Sequence, residues 1–147
     1  MLTTAEVLDL IPQKPPFRFI DELLEIDEQH AVGQYTYRHD EFFYRGHFPN
    51  NPVTPGVILV ETMAQTAHAL LLYLLGLELT LPQVRKVGGA GTSVAGDFER
   101  TVLPGETVRA RAEKVFYRGH KIKSRVELSL PDGTLVAQGT IAGMAVL

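Results

Sequence analysis

A chain of 147 residues is one domain's length and can bury a sizeable core. Its 45% apolar and 21% charged residues are those of an ordinary soluble globular protein, and the absence of cysteine excludes disulfides, zinc–thiolate sites and cysteine nucleophiles. The net charge of −3 is unevenly spread: residues 1–84 hold four Lys/Arg against eleven Asp/Glu, and residues 85–125 hold ten against four. The basic stretch reads either as a surface for an acidic partner or as solvent-facing charges alternating along strands. Its excess is too small, and too poor in aromatics, for nucleic acid.

The N-terminal Met-Leu-Thr-Thr-Ala-Glu lacks the basic start and long apolar run of a secretory signal, so a cytoplasmic location is expected. Thr3 with Glu6 three residues on forms a capping box, which predicts a short helix to about Ile11, where Pro12 stops it. Phe17–Ile26 and Ala31–Tyr37 are rich in aromatic and β-branched residues and read as strands. A loop stiffened by Pro49, Pro52 and Pro55 follows, and it carries His47.

One long helix is expected from Pro55 to about Leu75, with Thr54 as N-cap, Pro55 in the first turn and Gly76 just beyond the end. Some twenty residues would span roughly 30 Å, the length of a membrane crossing. Glu61, Gln65 and His68, however, fall at i, i+4 and i+7 and lay a polar stripe along the cylinder. A sheet wrapped around the helix accounts for it better than a bilayer does.

Gly88–Ser93 looks at first like a phosphate loop, but no Gly-Lys-Ser/Thr follows, and a flexible strand or turn is expected. In Val108–Glu113 and Ile122–Leu130, apolar and charged residues alternate, the period of strands with one wet face. Pro131-Asp132-Gly133 signals a turn into a last strand at Leu135–Val146. One helix with several largely antiparallel strands makes a single α+β domain over residues 1–147. The helix is apolar on nearly every face, more than one small sheet can cover, so a homodimer at least is expected.

The chemistry concentrates in residues 45–65. A carboxylate in an apolar helix is costly unless it is paired or put to use. Glu61 therefore reads either as the partner of an arginine, Arg45 or Arg100, or as one half of an acid/base pair with His47. Gly56 lies in the first helical turn, where free N–H groups and the helix dipole could hold an oxyanion. Glu61 with His68 lacks the third ligand a metal would need. His30, His39 and His120 sit in turn-like, solvated contexts, and no serine has a nucleophile-elbow setting.

Gly46-His47-Phe48-Pro49-x-x-Pro52-x-x-Pro55-Gly56, followed by Glu61-x-Met63-Ala64-Gln65, resembles the β-hydroxyacyl-acyl-carrier-protein dehydratases. Ile11–Asp21 is similar to that family's N-terminal Pro-Phe…Asp segment, and Phe98–Glu106 to its Phe-x-x-x-Val-x-Pro-Gly-Asp/Glu segment. The resemblance implies a hot-dog fold, a curved antiparallel sheet around one long helix. It implies elimination of water from 3-hydroxyacyl thioesters without cofactor or metal, in fatty-acid or related polyene and polyketide synthesis. His47 would take the α-proton, Glu61 would assist departure of the 3-hydroxyl, and the Gly56 amide would hold the thioester oxygen. Gln65 is counted with Gly56 among the oxyanion- and substrate-binding groups. A glutamate at position 61 is similar to the dehydratase-only branch. An acyl carrier protein is the implied partner of the basic stretch, and His and Glu are implied to meet across a dimer interface, with trimers of dimers a further assembly.

The chain departs from the family pattern at Gln13-Lys14-Pro15, at Asn50, at His68 and in the small residues of Gly88–Gly96. A hot-dog thioesterase or a non-catalytic acyl-binding module are the alternative readings.

Overall fold

Two strands of alternating apolar and charged residues and four less regular ones form a single six-stranded sheet. In the computed structural model, which describes residues 1–147, they are β1 (Glu22–Ile26), β2 (His30–Thr36), β3 (Gly88–Phe98), β4 (Thr107–Arg118), β5 (Lys121–Ser129) and β6 (Leu135–Val146). The sheet order is β1-β2-β4-β5-β6-β3, and every pairing is antiparallel. The helices are α1 (Thr4–Leu10), α2 (Gly56–Glu78) and α3 (Leu81–Arg85), and a short 3-10 turn runs from Phe42 to Arg45. This is the hot-dog arrangement expected of the family resemblance.

Two buried clusters sheathe α2. Around its N-terminal half lie Phe19, Tyr35, Tyr37, Val108, Ala110 and Val126, and around its C-terminal half Val7, Ile11, Leu23, Ala31, Ile122 and Val84. The helix is long and apolar enough to cross a membrane, but 72% of its most apolar stretch is already buried inside the protein. Its apolar surface serves a core.

Local chemistry explains where elements differ from expectation. The first strand begins at Glu22, five residues later than Phe17, because the backbone of Phe17 and Phe19 bonds a helix side chain in place of a neighbouring strand. Helix α2 begins at Gly56, and its N-cap is Pro55 without any side-chain cap. The expected cap, Thr54, spends its hydroxyl on Tyr44 at 2.6 Å. Gly76 lies inside the helix, which runs on to Glu78. Its bareness seats Leu2, since a Cβ there would stand 2.5 Å from Leu2 Cδ1. His30 is no solvated turn residue: it opens β2 and bonds Glu25 at 2.8 Å and Asp27 at 3.0 Å.

The glycine-rich Gly88–Ser93 segment is the first half of β3, an edge strand exposed at all eleven positions. Gly96 faces Gly139 of β6, and a Cβ on either would run into the other strand's backbone. The small residues therefore permit a close approach of two strands. On β4 and β5 the charges face water as expected, with Arg111 opposite Glu127 and Glu113 opposite Arg125. Gly119 (φ 57) and His120 (φ 59) make the tight turn between these strands, a conformation that demands positive φ at both central residues.

Candidate active site

The histidine is presented by a loop closed at both ends. The 3-10 turn feeds Tyr44 into the base of the loop, where its hydroxyl meets Thr54, and the Thr54 amide donates to the Val102 carbonyl at 2.8 Å. Within that frame the Val53 amide donates to the His47 carbonyl at 3.0 Å, and His47 Nδ1 lies 3.0 Å from the Val53 carbonyl oxygen. A carbonyl only accepts, so Nδ1 carries the proton and Nε2 presents a free lone pair. The ring stacks on Phe48 at 4.4 Å between centroids and is half-buried. The bond to Val53 fixes the direction in which Nε2 points.

The carboxylate sits in α2 beside a cavity. Glu61 has no cationic partner: Arg100 is engaged by Glu106 at 3.4 Å, and Arg45 makes no ion pair. The arginine-paired reading of Glu61 is thus overturned. Gln65 Nε2 donates to Glu61 Oε1 at 3.0 Å and to the Phe17 carbonyl at 2.9 Å, while Gln65 Oε1 accepts from the Phe19 amide at 2.8 Å. Gln65 is completely buried. Its amide nitrogen is spent on Glu61 and on the Phe17 carbonyl, so it orients Glu61. Only the period of the helix hinted at this, since i and i+4 share a face.

Gly56 stands at the first position of α2. Its bare Cα accommodates the Phe98 ring of β3, whose Cζ would lie 3.2 Å from a Cβ at that position. No side chain caps the helix, and while the Ile58 amide donates to the Pro55 carbonyl, the Gly56 and Val57 N–H groups remain free to receive an anionic oxygen.

Two cavities run along the seam between α2 and the β3–β6 edge. One, of about 320 Å³, is bounded by Met63, Phe98 and Ala137, and the other, of about 270 Å³, by Glu61, Ala64, His68 and Leu71. They share Val60, Val94 and Ile141 as walls, so they lie side by side along one largely apolar trough. Glu61 lines it and His47 does not. Within one chain, therefore, no hydrogen bond joins the expected pair, and neither of these two cavities does. No group of three or more His, Asp or Glu stands close enough to hold a metal ion.

Sequence reasoning missed Gln13, which lines the trough beside Glu61 and His68. The departure from the family pattern at Gln13-Lys14-Pro15 marked it without giving it a role, for it reaches the site only because α1 is folded against α2.

Comparison with known proteins meets this geometry. Residues 11–143 match the FabA-like domain. A 3-hydroxyacyl-[acyl-carrier-protein] dehydratase FabZ from Acetivibrio thermocellus is 37% identical over 143 residues, spanning 96% of this chain and 92% of that protein. The chain belongs to the FabA-like dehydratase family. Among solved structures, the dehydratase heterocomplex ApeI:P from Xenorhabdus doucetiae superposes with a TM-score of 0.78 at 14% identity, over 100% of this chain and 93% of that one. A hypothetical thioesterase from Streptococcus pneumoniae TIGR4, solved with coenzyme A, superposes with a TM-score of 0.62 at 11% identity, over 85% and 84% of the two chains. These two likenesses define the fold alone.

Proposed function

We propose that the chain, acting over residues 1–147 as one hot-dog unit, dehydrates 3-hydroxyacyl thioesters to trans-2-enoyl thioesters in fatty-acid or related polyene and polyketide synthesis. The observation that carries the reading is the imidazole of His47, whose Nδ1 is tied to the Val53 carbonyl so that Nε2 is left as a base. The names of the curated relatives support the substrate, a 3-hydroxyacyl group held on an acyl carrier protein; the cytoplasmic location expected from the N-terminus belongs to the same reading. His47 Nε2 takes a proton from C2, and the electrons form the C2–C3 double bond as the C3–O bond breaks. Glu61 supplies the proton with which the hydroxyl leaves as water. The free amides at the start of α2, Gly56 first, receive the thioester oxygen as it gains negative charge, an interaction worth ~2.7–4 kcal/mol per donor in comparable sites. No redox change occurs and no cofactor enters the balance.

A second copy supports this chemistry. Val94 and Phe98 on β3 are 56% and 53% exposed, and Val57 in the first turn of α2 is 76% exposed. An eleven-residue edge strand with such neighbours is a surface that folded proteins cover. A homodimer formed across this edge brings His47 of one subunit to the trough that holds Glu61 of the other. The test is an assay of purified protein on 3-hydroxyacyl pantetheine thioesters, reading enoyl absorbance and free thiol together. Enoyl formation without thiol is expected, with His47→Ala and Glu61→Gln each folded and slower by ~10²–10⁴-fold. Thiol release with a free acid would overturn the reading in favour of a thioesterase.

A further inference from the structure

The trough holds polar atoms that the elimination does not use. Beyond Glu61 its wall is greasy, built from Val60, Ala64, Ala67, Leu71 and Ile122. Into the same 270 Å³ cavity reach Gln13 and His68, and Gln13 Oε1 and His68 Nε2 are both buried without a hydrogen-bond partner. Most buried polar atoms in folded proteins are satisfied, so two orphans lining one cavity call for a ligand group. His68 lies seven residues after Glu61, which places it about 10.5 Å further along the helix axis.

Both side chains are held in place by neighbouring structure. The His68 ring packs on Gly89 of β3 so closely that any Cβ there would overlap it, so a bare backbone makes room for this imidazole. Arg18 pins the segment bearing Gln13, donating from Nε to the Gln13 carbonyl and from Nη2 to the Ile11 carbonyl, each at 2.9 Å. Burial lowers the His68 imidazole to about 4 from its ordinary 6.5, so the ring is uncharged at neutral pH.

The two atoms narrow the chemistry of their partner. Gln13 Oε1 only accepts, which excludes ketones, esters and carboxylates as its partner. An ammonium could donate, but an unpaired charge in this apolar wall carries a heavy desolvation cost. A neutral imidazole nitrogen bonds a hydroxyl in either tautomer. A hydroxyl donates to one orphan or accepts from the other, and it enters an apolar trough at modest cost.

We infer that Gln13 and His68 form a specificity subsite for acyl chains that carry a second hydroxyl, well beyond the one eliminated. This inference rests on the proposed dehydration reading for the placement of the thioester end. The experiment compares matched pairs of 3-hydroxyacyl pantetheine thioesters over a series of chain lengths, one member of each pair bearing a terminal hydroxyl. At the length that brings this hydroxyl to His68, kcat/KM for the hydroxylated member should exceed that of the plain one by about tenfold, the usual worth of satisfying a buried polar group. His68→Leu and Gln13→Met should each bring the ratio towards one.

No preference at any length would overturn the subsite, with the cavity then holding water only, as would a preference unchanged in both variants. Calorimetry with the matching saturated acyl thioesters, which have neither a 3-hydroxyl to lose nor a double bond to hydrate, separates this inference from the reaction. If no thioester is turned over, the dehydration reading fails. In that case tighter binding of hydroxylated chains upholds the subsite, and equal binding removes it.

Discussion

Gln65 donates a hydrogen bond to Glu61 across one turn of α2, at 3.0 Å, while its remaining amide atoms grip the backbone of Phe17 and Phe19. One side chain thus fixes the carboxylate and docks the N-terminal segment on the helix that carries it. Site geometry and fold stability are coupled through this residue.

Gln65→Leu should leave the Phe19 amide buried and unpaired, while the exposed Phe17 carbonyl can turn to water. A loss of about 1–3 kcal/mol for the orphaned amide is expected, read as a drop in the urea midpoint. Freed from its donor, Glu61 should lose orientation, so kcat should fall further than KM rises. A variant of unchanged stability and kcat would show that this contact does neither job.

Subunit complementation tests the shared site. His47→Ala and Glu61→Gln proteins are each expected to be nearly inactive alone. Co-expressed, half of the dimers should be mixed and hold one intact site of two, restoring about a quarter of wild-type activity. A site completed within one chain would show no recovery, and an active monomer in light scattering would remove the dimer altogether.

The buried His68 gives the protein an acid-labile element. Its folded pKa of about 4 lies below the ordinary 6.5 that it regains on unfolding. Between those values the unfolded chain binds a proton that the folded chain does not. Stability is therefore fully present above pH 6.5 and falls as pH drops towards 4, by on the order of 1–3 kcal/mol. Thermal melts should show wild type losing more on acidification than His68→Leu. Parallel pH curves for the two proteins would rule out this origin.

Carrier recognition should depend on cations that the sheet leaves unpaired. Arg100 is held by Glu106, Arg111 faces both Glu113 and Glu127, and Arg109 bonds Gln34, so these do little for a partner. Lys86 and Lys121 are exposed and make no ion pair. Reversing both to glutamate should slow association with an acidic carrier roughly tenfold at low salt and less at high salt, sparing a pantetheine substrate. Equal loss on carrier-bound and carrier-free substrates would point to damage elsewhere.

Much of this protein was written locally. Alternation in Val108–Glu113 and Ile122–Leu130 determined two half-wet strands, Thr3 and Glu6 the capping box, and the proline-spaced loop with a lone Glu61 in an apolar helix marked where chemistry would sit. These signals depend on residues within a few positions of one another, so the chain carries them without help. Partners distant in sequence were another matter. Gln65 meets Phe17 across 48 positions, Gly89 makes room for His68, and Gln13 reaches the trough only once α1 lies on α2. Such contacts are chosen by packing, which selects among many locally equivalent arrangements the one that fills the core and leaves few polar atoms unpaired. Local pattern therefore marked the candidate residues for the chemistry, while packing across the fold chose the neighbours that orient them and the polar atoms left waiting in the trough.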